Sequence, residues 1–218
     1  NTIDTSGADG IFVAGGTSLS VQGNTIRDSQ DNGILVQQGQ DIVVANNIID
    51  DSGDAGLDLK SQGTATVQDN TITASGTSSL SLAALDGGIV VPTVTRNTCD
   101  TGGAHGIFVR GAQGGSIHDN TVQDHSKFGV LLHRSSATAV QENTVDRNGD
   151  GGIGIGVATD PDPSGSGFVV TGNELDANLK GGINIIATGA LQVATNQIDG
   201  SGSSGISLDA AGGTIIPE

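Results

Sequence analysis

Asparagine recurs at positions 1, 24, 47, 70, 97, 120, 143, 173 and 196, and divides the 218 residues into nine units. Seven units are 23 residues long; the fourth has 27 and the seventh 30. A period of this length is the mark of a solenoid, in which each unit buries its apolar face only by stacking on its neighbours. The apolar positions inside the unit agree. Position 3 reads Ile3, Ile26, Ile49, Ile72, Cys99, Val122, Val145, Leu175 and Ile198. Position 11 runs from Ile11 to Ile206 and position 13 from Val13 to Leu208, aliphatic in every unit. Position 21, counted back from each unit's end, is Val or Ile throughout. Position 10 is Gly in eight units, with Ser79 the exception.

Positions 11 and 13, like 19 and 21, repeat every two residues, which is the period of a strand and not of a helix. Three short strands per unit, near positions 2–4, 10–14 and 18–22, predict one coil of a parallel β-helix. Nine coils at the inter-strand spacing make a rod of about 43 Å. The recurrent Asn is expected to take the left-handed bend between two strands and to hydrogen-bond to its counterparts in a ladder. Cys99 falls on an inward position and reads as a small buried hydrophobe. The chain is expected to be one domain over residues 1–218. It starts at Asn1 without Met and reads as a processed or excised part of a longer chain. No end cap is visible, so flanking domains or end-to-end self-association are expected to cover the terminal strands.

Composition sets further bounds. There are 36 Gly, 4 Phe and no Trp, Tyr or Met, so the core must be built from Ile, Val, Leu and Ala. One cysteine excludes an internal disulfide framework. No stretch is long and apolar enough to span a membrane. The formal charge of −16 argues against nucleic acid, which needs a basic face.

The units, of the form NTIxxSxxxGIxV…VxxN, resemble right-handed parallel β-helix repeats of the pectin-lyase-like superfamily over the whole chain. That resemblance implies an all-β fold, a right-handed parallel β-helix of nine coils. It includes polysaccharide lyases, hydrolases, uronan epimerases, phage tailspikes and adhesins, so it does not choose an activity. It also implies that the outward face of the middle strand lines any substrate groove.

On that face position 14 places Arg110 beside His133, about one strand spacing apart. Position 12 carries Phe12, Leu35, Phe108 and Leu131, four large apolar residues on a face that should meet solvent. Both long units carry their extra residues just after this strand, at 83–88 and 158–167, which places a loop on either side of Arg110 and His133. All four histidines lie in units five and six, where 3 Lys+Arg against 4 Asp+Glu leave a local net of −1. His118 points outward on a different strand and is set aside. His105, His125 and Lys127 lie in the turn before the middle strand and are expected to border the patch.

The functional reading is an anion site: Arg110 holds a carboxylate and His133 acts as acid or base, with Phe108, His105, His125, Lys127 and Leu131 binding the ligand. By resemblance that ligand is an acidic, uronic-acid polysaccharide or oligosaccharide and the reaction a lyase or C5-epimerase step. Uronan C5-epimerases carry a Tyr-Gly-Phe-Asp-Pro-His motif on this strand. Here it reads FGVLLH, in which Gly129 and His133 match, Phe128 replaces the tyrosine and Leu131 the aspartate. No cofactor is expected. Calcium at Asp160 and Asp162 is the one alternative, against a rigid acidic turn made by the same residues. A secreted or cell-surface location goes with this reading. Two functions stay open: a polysaccharide-acting protein, and a non-catalytic surface solenoid such as an adhesin, a stalk or a stacking subunit.

Overall fold

A computed structural model describes residues 1–86, 88–156, 165–210 and 215–217. Every regular element among them is a strand, and all pair in parallel with a partner one coil away. The first face is a nine-stranded sheet from Thr2–Ser6 to Gln197–Asp199. The middle face includes Ile107–Arg110, Phe128–His133 and Gly151–Ile155, and the third includes Val90–Thr95, Ser116–His118 and Ala139–Gln141. In coils two and three the strands Ile34–Ala45 and Leu57–Gln68 run through the corner and join the last two faces. The fold is a right-handed parallel β-helix of nine coils.

Register follows the repeat: Cys99 pairs with Ile72 and Val122, and Ile107 with Leu80 and Val130. Even the 30-residue unit is in step, because Val140 still meets Val170. The strands on either side of its extra length keep the register of the ladder. The inward positions form one continuous aliphatic core, in which most members from Ile26 to Ile185 are fully buried. Each such side chain contributes about 1.5–3 kcal/mol before the entropy of ordering is subtracted. Cys99 lies inside it, and burial pushes its thiol up to about 12. In the terminal coils the same positions are less covered; Ile206 is half-exposed.

The Asn ladder is continuous. Each amide donates to the Oδ1 of the next coil's Asn at 2.8–3.0 Å, from Asn1 to Asn196. The left-handed bend, expected at Asn, falls instead on the residue before it: Asn46, Asp69, Arg96, Asp119 and Glu142 have φ of 52–56°. The ladder Asn itself must stay extended so that its amide points inward. A second left-handed residue closes the first strand in each coil, as at Asp28, Asp51, Ala74, Asp124 and Arg147.

The glycine at position 10 is needed for close approach. A Cβ at Gly33 would lie 2.4 Å from Ile49 Cγ2, 2.6 Å from the Gly56 carbonyl and 3.0 Å from Ser52 Oγ. Position 10 of one coil therefore abuts position 6 of the next. Where position 10 is Ser79, position 6 of the next coil is Gly102, so the bulk is exchanged and not added.

Candidate functional site

Arg110 and His133 are register partners on adjacent strands, as are Phe108 and Leu131. Arg110 is exposed and Phe108 half-buried. Coil six departs from the exposed face that its position predicts. His133 is only 8% exposed and Leu131 4%, although neither belongs to the interior core.

Four rings form a row across coils five and six. Phe128 and His105 stack with centroids 6.3 Å apart and planes at 19°. His105 and Phe108 follow at 5.6 Å and 26°, then Phe108 and His133 at 6.5 Å and 23°. Offset, near-parallel rings at such spacings attract beyond their buried area. The Phe128 N–H donates to His105 Nδ1 at 3.3 Å, so the imidazole proton resides on Nε2. Desolvation, helped by the neighbouring Lys127 charge, pulls His105 down to about 4. It is a neutral ring at pH 7, with one N–H to offer.

Lys127 is exposed at one end of the row and Arg110 at the other. The other cations are engaged: Arg27 pairs with Asp4, Arg96 with Asp69, Arg147 with Asp124 and Lys180 with Asp150, Lys60 stands 4.0 Å from Asp58, and Arg134, next to His133, has an interaction of its own. Among the described residues, Arg110 and Lys127 make no ion pair. Asp150 stacks one coil beyond Lys127 and takes its N–H···O bond to the Lys127 carbonyl, but its carboxylate goes to Lys180 at 2.5 Å. Lys127 is left unneutralised as a result.

His125 is a correction. It does not border the patch; it ends the strand Thr121–His125, is 2% exposed, and points into the coil. Gly102 in the preceding coil has no side chain, and the ring lies over it, 2.5 Å from where a Cβ would stand. Its Nε2 thereby reaches Ser79 Oγ, two coils away, at 2.8 Å. Burial lowers its pKa to about 4 against the pull of Asn148, Asp100 and Asp124. His118 stays outside the site, held by Asp119 and Thr95 on the third face.

Of the two loops, the first has Leu85 and Asp86 lining a depression with Gln38, Gln40 and Gln62, on the side of the earlier coils. Most of the second, including Asp160 and Asp162, lies outside the described residues. No group of three His, Cys, Asp or Glu among the described residues is placed to hold a metal. Among the described residues no helix is long and apolar enough to cross a membrane.

Phe128 is the ring that sequence reasoning passed over as a site residue. Its signal was its column: position 9 is Asp9, Asn32, Ala55 and Ser78 in the first four coils, then His105 and Phe128 together.

The family model described as "Right handed beta helix region" matches residues 1–91 and 87–216. The chain belongs to the right-handed β-helix family. A comparison with curated protein sequences found no match. Among solved structures, the A-module of the mannuronan C-5 epimerase AlgE4 from Azotobacter vinelandii aligns with a TM-score of 0.63 at 14% identity, over 92% of this β-helix and 64% of that chain. Tailspike protein 3 of bacteriophage CBA120 aligns at 0.54 and 11% identity, over 95% of this β-helix and 40% of the tailspike. A double mutant of the periplasmic alginate epimerase AlgG aligns at 0.51 and 15%, over 88% of this β-helix and 50% of the epimerase. This β-helix thus spans less than two thirds of each. At these identities the likeness is one of fold.

Proposed function

We propose that this β-helix binds an acidic polysaccharide of the uronic-acid class across coils five and six, outside the cell or at its surface. The observation that carries the reading is the row of four rings ended by two cations without ion-pair partners, in a chain of charge −16. Sugar rings lay their C–H faces on flat apolar surfaces, and Phe128 and Phe108 supply them. Arg110 presents a planar fork of donors that matches a carboxylate, and Lys127 adds a second positive end. Neutral His105 contributes an N–H without drawing a counter-charge. The mannuronan and alginate epimerases among the structures of similar fold agree with this ligand class.

The register pairing of Arg110 with His133 favours a second reading, turnover of the same polymer. In it His133 takes the proton from the carbon beside the carboxylate while Arg110 holds the charge that moves onto the carboxylate oxygens. Return of a proton to the opposite face inverts the centre; loss of the neighbouring glycosidic oxygen cleaves the chain. With Leu131 beside the pair, His133 would remove the proton, and water would return one to the opposite face.

Calorimetric titration with oligouronates tests binding. Arg110→Ala should weaken it about 10- to 100-fold, the range for a charge-assisted hydrogen bond. Equal affinity of Arg110→Ala and the parent protein would refute the site. Unsaturated product seen by ultraviolet absorbance, or inverted residues seen by NMR, and lost in His133→Ala, would establish turnover; their absence in the parent protein leaves binding alone.

A further inference from the structure

Beyond coil six the outer face falls away. Positions 9, 12 and 14 carry Phe128, Leu131 and His133 in coil six but Gly151, Gly154 and Gly156 in coil seven. Of these three, Gly151 lines a trough of about 460 Å³, of the size of a small-molecule site. Phe128 forms its near wall, Gly151 and Gly181 part of its floor, and Asn184, Ser204 and Ser207 its far end over coils eight and nine. Gly151 is needed twice over, because a Cβ there would stand 2.9 Å from the Phe128 ring as well as fill the floor. Since Phe128 belongs both to the ring row and to the trough, a ligand seated on the row continues into the trough along the helix axis.

The charges of the two halves differ. The row ends on two unpaired cations. The trough has one cation, Lys180, and it is neutralised by Asp150 on the same rim. Its other polar groups are hydroxyls and an amide, which suit sugar hydroxyls and acyl groups and give a carboxylate no positive partner. A polymer with a carboxylate on every residue would bring its second and third charges beside Asp150, inside an already acidic chain.

We infer that the ligand is a heteropolysaccharide in which a uronic acid is followed by uncharged sugars: the carboxylate sits on the cation-flanked ring row and the neutral residues lie in the glycine-floored trough of coils seven to nine. This inference rests on the polysaccharide-binding reading above and specifies its ligand.

The test uses tetramers of mannuronate, guluronate and galacturonate, each fully charged and each as a partial methyl ester with one free carboxylate, titrated against the whole chain. The one-carboxylate forms are expected to bind about fivefold tighter than their fully charged parents, the scale of one exposed charge contact. Asp150→Asn, which releases Lys180, should erase or reverse that preference. Asn184→Ala should weaken the esters. Fully charged tetramers that bind as tightly as the esters, or tighter, would overturn the inference and leave the binding reading standing. If none of the six binds, the acidic-polysaccharide reading itself falls, and the inference with it.

Discussion

The asparagine that opens each coil and the residue five places after it both point into the interior, and the two columns are built on opposite terms. The first is uniform. Asn97, for example, donates to Asn120 Oδ1 and to the Val67 and Thr95 carbonyls, and accepts from the Asn70 side chain and backbone N–H. The second column changes as it rises: Ser29, Ser52, Ser75, Gly102, His125, Asn148, Asn178. Ser29, Ser52 and Ser75, like Ser201 in coil nine, bury hydroxyls that have no hydrogen-bond partner, and only in coils six to eight do the column's members bond along the axis. A column whose every atom is satisfied tolerates no exchange of residue. One that satisfies few of them can trade bulk between coils, as Ser79, Gly102 and His125 do.

The sharpest way to break the contrast is to cut the first column at its middle. Asn97→Ala takes the acceptor from the Asn70 backbone N–H and from one N–H of its amide, which keeps its bond to the Val44 carbonyl, and removes the Asn97 donor from the Val67 carbonyl. Several unmet buried groups at once should cost about 4 kcal/mol. Chemical denaturation should show it as a fall in midpoint, with hydrogen exchange accelerated first at coils three to five. A loss under about 1 kcal/mol would mean that the ladder is ornament to the aliphatic core.

Acid should act on the second column and spare the first, which has nothing to titrate. His125 is held near 4 in the fold by desolvation and returns to about 6.5 when unfolded. The unfolded state therefore takes up the proton first as pH falls. The stability contributed by neutral His125 is complete above about pH 6.5 and drains away between there and about 4, by about 3 kcal/mol in all. His105 shares the same direction and window. In His125→Asn the loss between pH 7 and 4 should therefore be about half that of the parent protein, read from denaturation midpoints along the pH series. An unchanged slope would show that His125 titrates alike in the folded and unfolded states, as a solvated ring does.

This contrast also explains how much could be read from the sequence. The fold was legible because coil register makes chemistry repeat: Ile26, Ile49 and Ile72 announce a core and Asn47, Asn70 and Asn97 a ladder. Two details were misplaced because the repeat fixes position but not which way a corner residue turns. The left-handed bend went to Asn47 and not to Asn46, and His125 was set in an open turn although Ser29, Ser52 and Ser75 mark its column as inward. At the candidate site, Arg110 and His133 emerged as neighbours from register alone. The ring row needed side-chain geometry, since His105 and Phe108 lie on one coil and Phe128 and His133 on the next. The trough was silent, because glycines and serines signal nothing until their neighbours' bulk is known.

The finest test of the comparison is a hydroxyl. Ser52 Oγ is buried with no partner, so the fold bears its desolvation without recompense. Ser52→Ala deletes that group and leaves a gap smaller than a methyl. If the second column is indeed built on steric fit, the substitution should be neutral or stabilising by up to about 1 kcal/mol, since removing an unmet buried donor returns part of its 1–3 kcal/mol penalty. The opposite sign, a loss of about 1 kcal/mol or more in the same denaturation experiment, would mean that Ser29, Ser52 and Ser75 are bonded in solution through ordered water. The two columns would then be variants of one device, each paying its polar groups in full.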